Sequence, residues 1–178
     1  MNIVRKLPFV FIFVLLGLVS FTLPKNIEKK VSKEIKKTFE VEGFALEAIQ
    51  VTNEINKQLQ HKIGVDNLFK IIVDNELLGY AYVSKAPSKT DEFDYLVLLD
   101  TDLIVKKTSV LIYREDYGGE IGSKRWLKQF TGKTTSDVLV YEKDVVAISG
   151  ATISAMSMTN AVNIFLQDLK ILHNNQVL

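Results

Sequence analysis

Near the C-terminus, Ser149-Gly150-Ala151-Thr152 gathers the residue types best placed for chemistry. Thr152 offers a secondary hydroxyl, an oxygen that can carry a phosphoester. Gly150 and Ala151 leave so little side chain that a large ligand, or an enzyme acting on Thr152, can approach the backbone closely. Behind them, apolar residues recur at Ile153, Met156, Ala161, Val162, Phe165, Leu166, Leu169 and Leu172, a helical spacing with one apolar face. Ser149 to Thr152 is therefore expected at a helix N-terminus. Unpaired N–H groups and the positive end of the helix dipole meet there and suit a phosphate. Ser and Thr are also ordinary helix N-caps, so the tetrapeptide by itself leaves both readings open.

Composition narrows the other chemistry. The chain has 178 residues, a formal net charge of +1 and no cysteine. Disulfides, thiolate nucleophiles, iron–sulfur clusters and thiolate metal sites are excluded, and no metal site is expected. A charge near zero gives no bulk electrostatic case for nucleic acid. The two histidines, His61 and His173, lie in a Lys/Gln-rich stretch and in the C-terminal tail, as solvated side chains would. A Ser-His-Asp hydrolase has little support, and no catalytic residue is assigned.

The elements that must position the tetrapeptide can be read along the chain. Leu7 to Leu23 is an apolar run preceded by Arg5 and Lys6, a membrane anchor or a signal segment. Its end, Val-Ser-Phe-Thr-Leu-Pro, is a poor cleavage site, which favours an anchor. Six lysines between Lys25 and Lys37 follow it, and a strict positive-inside count would keep the body in the cytoplasm. Lys25 to Gln60 reads as one or two helices interrupted near Gly43, with the lysines on a solvated face or at lipid headgroups. Leu68–Val73 and Leu77–Val83 are expected to form a hairpin across an Asp74-Asn75-Glu76 turn. Phe93–Leu99 and Ile104–Tyr113 extend it into an antiparallel meander through Asp100-Thr101-Asp102. A glycine-rich loop, Arg114 to Gly122, precedes a short amphipathic helix, Ser123 to Phe130, with Trp126, Leu127 and Phe130 on one face. Val138–Val140 and Val145–Ile148 are expected as short final strands. The fold class is thus α+β, an antiparallel sheet with packed helices after one N-terminal membrane segment. Residues 1–24 form the anchor or signal segment, 25–62 a helical or linker segment and 63–178 the main domain.

The order of these features resembles the FMN-binding domain family over roughly Leu68 to Leu172. That family includes the flavin subunits of Rnf-type electron-transport complexes and of the sodium-pumping NADH:quinone reductase. Gly79-Tyr80 matches its early hairpin, and Asp100-Thr101-Asp102 matches its turn. Glu115 to Glu120 matches its glycine-rich loop, and Trp126-Leu-Lys-Gln129-Phe130 its short helix. Ser149-Gly-Ala-Thr152 matches its flavin-attachment sequence. Two positions depart. The family commonly has an aspartate three residues before the serine, where this chain has Val146, and a proline in the loop, where this chain has Asp116-Tyr117.

The resemblance implies FMN joined to Thr152 through a phosphodiester, installed by a magnesium-dependent FAD:protein FMN transferase. Ser149, Gly150 and Ala151 would surround the phosphate, with Ser154 and Ser157 either supporting it or standing as exposed helix serines. The flavin ring would lie against Gly118 and Gly119. Glu115 and Glu120 are either acceptors for the flavin and its ribityl chain or solvated carboxylates. Tyr117 either flanks the ring or packs in its loop. The implied protein relays electrons between membrane redox partners from a membrane-anchored, extracytoplasmic (periplasmic) position. The alternatives are a reductase with non-covalent FMN and a cofactor-free envelope binding or scaffold module.

Overall fold

The computed structural model describes residues 23–178, so the expected membrane segment, apart from Leu23, lies outside the described residues. Among the described residues, no helix is long and apolar enough to cross a membrane. Five strands form one antiparallel sheet in sequential order: β1 (Ala45–Ala48), β2 (Leu68–Val73), β3 (Glu76–Pro87), β4 (Glu92–Leu99) and β5 (Val105–Ile112). Helix α1 (Lys25–Phe39) covers one face, a short α2 (Asn53–Asn56) follows β1, and α4 (Thr152–Asn174) covers the other face. A short α3 (Lys124–Leu127) continues into a 3-10 turn over Lys128–Phe130. The α+β reading and the antiparallel meander hold.

The central strand shows why both faces are covered. In β4, Tyr95, Val97 and Leu99 face α4, whereas Leu96 and Leu98 face α1. Side chains alternate across a strand, so a strand buried on both faces reads as one continuous apolar run. Toward α1 the sheet packs on Ile27, Val31 and Ile35, spaced as neighbours on one side of that helix. Toward α4, Phe165 stacks on Tyr82 with ring centroids 3.8 Å apart. Asp168, buried on the same helix, accepts hydrogen bonds from the amides of Gln60 (2.8 Å) and His61 (2.9 Å). Those bonds satisfy both carboxylate oxygens of a fully buried acid and tie the segment after α2 to α4.

Local sequence explains the turns. Asp74 and Asn75 both adopt positive φ, 50° and 66°, as a two-residue turn between twisted strands requires. Gly79 sits where the sheet admits no side chain: a Cβ there would lie 2.2 Å from the Leu99 carbonyl oxygen. In the β4–β5 turn, Asp100 Oδ1 accepts from the amides of Asp102 and Ile104.

Three expectations need correction. Phe44 to Ile49, expected as helix, instead contains β1, which pairs with β2. Its alternating apolar pattern finds an open sheet edge, and cross-strand pairing outweighs its weak helical spacing. Val138–Val140 and Val145–Ile148 are not strands; only an isolated bridge joins Tyr141 and Val145. No sheet edge is offered to them, and side chains supply the partners a ladder would have given: the Leu139 amide donates to Asn163 Oδ1 and the Val146 amide to Gln129 Oε1. At the start of α4, Ile153 and Met156 are exposed, and Ser154, Ala155 and Met158 turn inward instead. Small side chains are what the helix needs where it enters the packed seam beside the glycine-rich loop.

Candidate functional site

The chain enters α4 without a side-chain cap. Ala151 is the N-cap residue, and the first helical bond runs from the Ala155 amide to the Ala151 carbonyl at 2.9 Å. The amides of Thr152, Ile153 and Ser154 therefore have no acceptor within the helix. Thr152 is exposed at the first helical position, and Gly150 before it has a φ of 78°, which suits a residue without Cβ. The result is an uncapped 23-residue helix whose positive end presents a free hydroxyl.

A cleft of about 490 Å³ opens at this end, inside the size range of small-molecule sites. Gly150, Ala151, Thr152, Ile153 and Ser154 form one wall. Tyr113, Glu115 and Tyr117, from the end of β5 and the loop behind it, form another, and Lys89 reaches in from the β3–β4 turn. A larger cleft of about 620 Å³ lies between residues 41–45 and 72–75. It holds neither a hydroxyl at a helix terminus nor a cation, so the smaller cleft is the better candidate.

Two seams hold the cleft in shape. In the first, Gly118, with a φ of 81°, brings the glycine-rich loop against the tetrapeptide. A Cβ on Gly118 would lie 2.7 Å from the Ala151 Cβ and 3.1 Å from both the Gly150 carbonyl and the Tyr113 hydroxyl. Beside it, the Tyr113 hydroxyl and Ser154 Oγ share a 3.0 Å hydrogen bond. In the second seam, α3 and its 3-10 continuation grip the approach to the tetrapeptide. Trp126 Nε1 donates to the Val146 carbonyl (2.7 Å), and the Val146 amide donates to Gln129 Oε1 (2.8 Å). Held on both sides through its backbone, Val146 turns its side chain to solvent, 67 % exposed. Trp126, Leu127 and Phe130 are buried as the amphipathic spacing predicts.

The sequence-predicted residues divide accordingly. Thr152, Gly150, Ala151, Ser154, Glu115 and Tyr117 all line the cleft. Tyr117 does not pack in its loop; it is 84 % exposed. Gly118 lies behind the wall at the seam, whereas Gly119 and Glu120 sit on the exposed 3-10 turn Gly119–Gly122, away from the lining. Ser149 is exposed just before the cleft. Ser154 is not an exposed helix serine, being buried against Tyr113; Ser157 is half-buried one turn on. Glu115 already holds the amide and hydroxyl of Thr90, at 2.7 and 2.8 Å. The Ser88 hydroxyl and those Thr90 donors pull its carboxyl down from 4.5 to about 2. Sequence reading did not single out Lys89 or Tyr113. Tyr113 ends a predicted strand, but Lys89 reaches the cleft only through the register of the β3–β4 hairpin.

The comparisons with known proteins agree with this geometry. Residues 89–167 match the family model described as the FMN-binding domain, which spans the cleft from Lys89 to the tetrapeptide and most of α4. No curated protein matches the chain. Among solved structures, the crystal structure of Shewanella oneidensis NqrC superposes with a TM-score of 0.56 at 16 % identity. The match covers 87 % of this chain and 99 % of that one. At that identity the likeness is one of fold.

Proposed function

We propose, from the FMN-binding domain family to which residues 89–167 belong, that the protein is a flavoprotein carrying FMN on Thr152 and relaying electrons between redox partners. One observation carries this reading: an exposed threonine hydroxyl at the first position of an uncapped helix, in the wall of a cleft within the matched segment. Attachment by an FAD:protein FMN transferase would join the Thr152 oxygen to the FMN phosphorus of FAD. The pyrophosphate bond breaks, and AMP leaves with the hydroxyl proton. The resulting phosphodiester keeps one negative charge, which the free amides of Thr152, Ile153 and Ser154 are placed to solvate.

Redox chemistry is what the flavin supplies when bound. The chain's own part is placement. Gly118 allows the loop to close on the tetrapeptide, Tyr113 fixes the first turn of α4 through Ser154, and Tyr117 offers an exposed ring at the mouth. The fold shared with NqrC supports a role beside membrane redox proteins as donor and acceptor. The apolar run Leu7–Leu23 supports a membrane anchor, with the domain on the extracytoplasmic side. A tethered cofactor suits that location, since a flavin that dissociated there would be lost.

The test is the intact mass of the full chain coexpressed with a flavin transferase. One FMN less water, mapped to the Thr152 peptide and absent in Thr152→Ala, is the expected result. An unmodified mass that still carries flavin released by denaturation would replace this reading with the non-covalent reductase. Colourless, unmodified protein would leave the cofactor-free envelope module. Because Val146 points outward, Val146→Asp is expected to fold normally and to raise the modified fraction where the transferase requires the aspartate.

A further inference from the structure

We propose that Lys89 makes this cleft select a flavin that bears a phosphate, and that Glu115 acts through it, as the brace that holds the Lys89 turn in place. The inference rests on the flavin reading above and assigns the recognition of its phosphate end.

The β3–β4 hairpin ends at the pair Pro87 and Glu92, which leaves Ser88 to Asp91 as the turn. Inside the turn, the amide of Ser88 donates to the Asp91 carbonyl at 2.7 Å. From outside, the turn is held by Glu115. Its Oε1 accepts from the Thr90 amide (2.7 Å) and the Asp91 amide (3.3 Å), and its Oε2 accepts from the Thr90 hydroxyl (2.8 Å). With both oxygens engaged, this carboxylate has little capacity left for a ligand, and its charge would repel a phosphate. Its work is to fix the turn. Lys89 stands on that turn between Ser88 and Thr90, exposed and lining the same cleft as Thr152. Among the described residues it is the one cationic side chain in the lining, and it forms no ion pair there. Two sources of positive potential thus line one cleft: the side chain of Lys89 on its turn and the free amides of the α4 terminus. An uncharged ribityl terminus gains only neutral-acceptor hydrogen bonds from either; a phosphate gains charge-assisted ones from both.

The test uses the full chain made without a transferase, titrated with FMN and with riboflavin by flavin fluorescence. The wild type is expected to prefer FMN. Lys89→Gln should weaken FMN about tenfold, the value of one charge-assisted hydrogen bond, and leave riboflavin unchanged. Lys89→Arg should restore most of the preference. Glu115→Asp, which keeps the charge but shortens the reach to the turn, should lower the FMN-to-riboflavin ratio in the same sense and speed hydrogen exchange at the Thr90 and Asp91 amides, which a ligand contact from Glu115 would not require. A Lys89→Gln protein with an unchanged ratio, or with both ligands weakened alike, would overturn the phosphate role. Faster exchange in Glu115→Asp without a change in ratio would overturn the bracing role. A wild-type chain that takes up neither flavin would overturn this inference alone; the flavin reading stands or falls separately, on the mass of the chain made with the transferase.

Discussion

Two single residues determine how tightly the cleft closes. Gly118 combines a left-handed backbone with contacts that leave no room for a methyl group, and Ala151 stands directly opposite it. Gly118→Ala is expected to cost about 1–3 kcal/mol, through backbone strain and the displaced seam, read as a lower urea midpoint with an unchanged m-value. Glu115 makes a different prediction. Hydrogen bonds in the folded state hold its carboxyl at about 2 against an ordinary 4.5, so its ionised form is the one folding favours. Its stabilising contribution is therefore complete above about pH 4.5 and is lost as pH falls toward 2. An NMR titration of the Glu115 carboxyl should show that low midpoint, and Thr90→Ala should move it upward by removing the hydroxyl donor. The sequence reading made Glu115 an acceptor for the flavin or a solvated carboxylate and did not foresee its hold on Thr90, because nothing local to Glu115 announces that partner. That pairing depends on two loops brought together by strand register. The place of Thr152 at a helix N-terminus was legible from its neighbours, since small residues followed by a helical pattern mark that position.

At the scale of elements, short helix α3 acts as a clamp on the chain that leads into α4. Trp126 holds the Val146 carbonyl and Gln129 holds the Val146 amide, while the Trp126 and Phe130 rings pack edge to face, 5.3 Å apart. Trp126→Phe keeps the ring contact but drops the donor. It should cost about 1 kcal/mol in thermal or urea denaturation, and should make the Val146 amide exchange faster than the amides of β4. The four longest strands and α4 were legible because their apolar periods were long and unambiguous. The segment from Val138 to Ile148 was not: its valines have strand propensity, but no edge receives them, and side-chain and turn contacts settle its path instead. β1 was missed for the opposite reason, a short segment whose helical spacing yields to an available edge.

The whole molecule separates stability from site. One side of the sheet is sealed by α1 and the other by α4, and the cleft belongs to the α4 side. Ile35 on α1 is fully buried against the first of these faces. Ile35→Ala is expected to lower the unfolding free energy by about 2–5 kcal/mol. The same protein, measured below its melting temperature, should bind flavin as the wild type does. A parallel loss of binding would mean that the two faces are coupled through the sheet. The order of strand and helix patterns made the α+β class legible, and composition the absence of thiol chemistry. That two helices from opposite ends of the described chain sandwich one meander was not, because the α1 sequence reads as a charged, solvated helix until its three buried residues find the sheet.

The position of α4 in the chain has a consequence for biosynthesis. Every strand leaves the ribosome before the helix that covers Tyr82, Tyr95 and Val97, so the nascent sheet must wait with one apolar side bare. Thr152 arrives on the same helix that ends this wait. A stalled or truncated chain would lack both the closed core and the oriented hydroxyl. The cell would then have a single late event, the docking of α4, that both closes the core and sets the Thr152 hydroxyl in place.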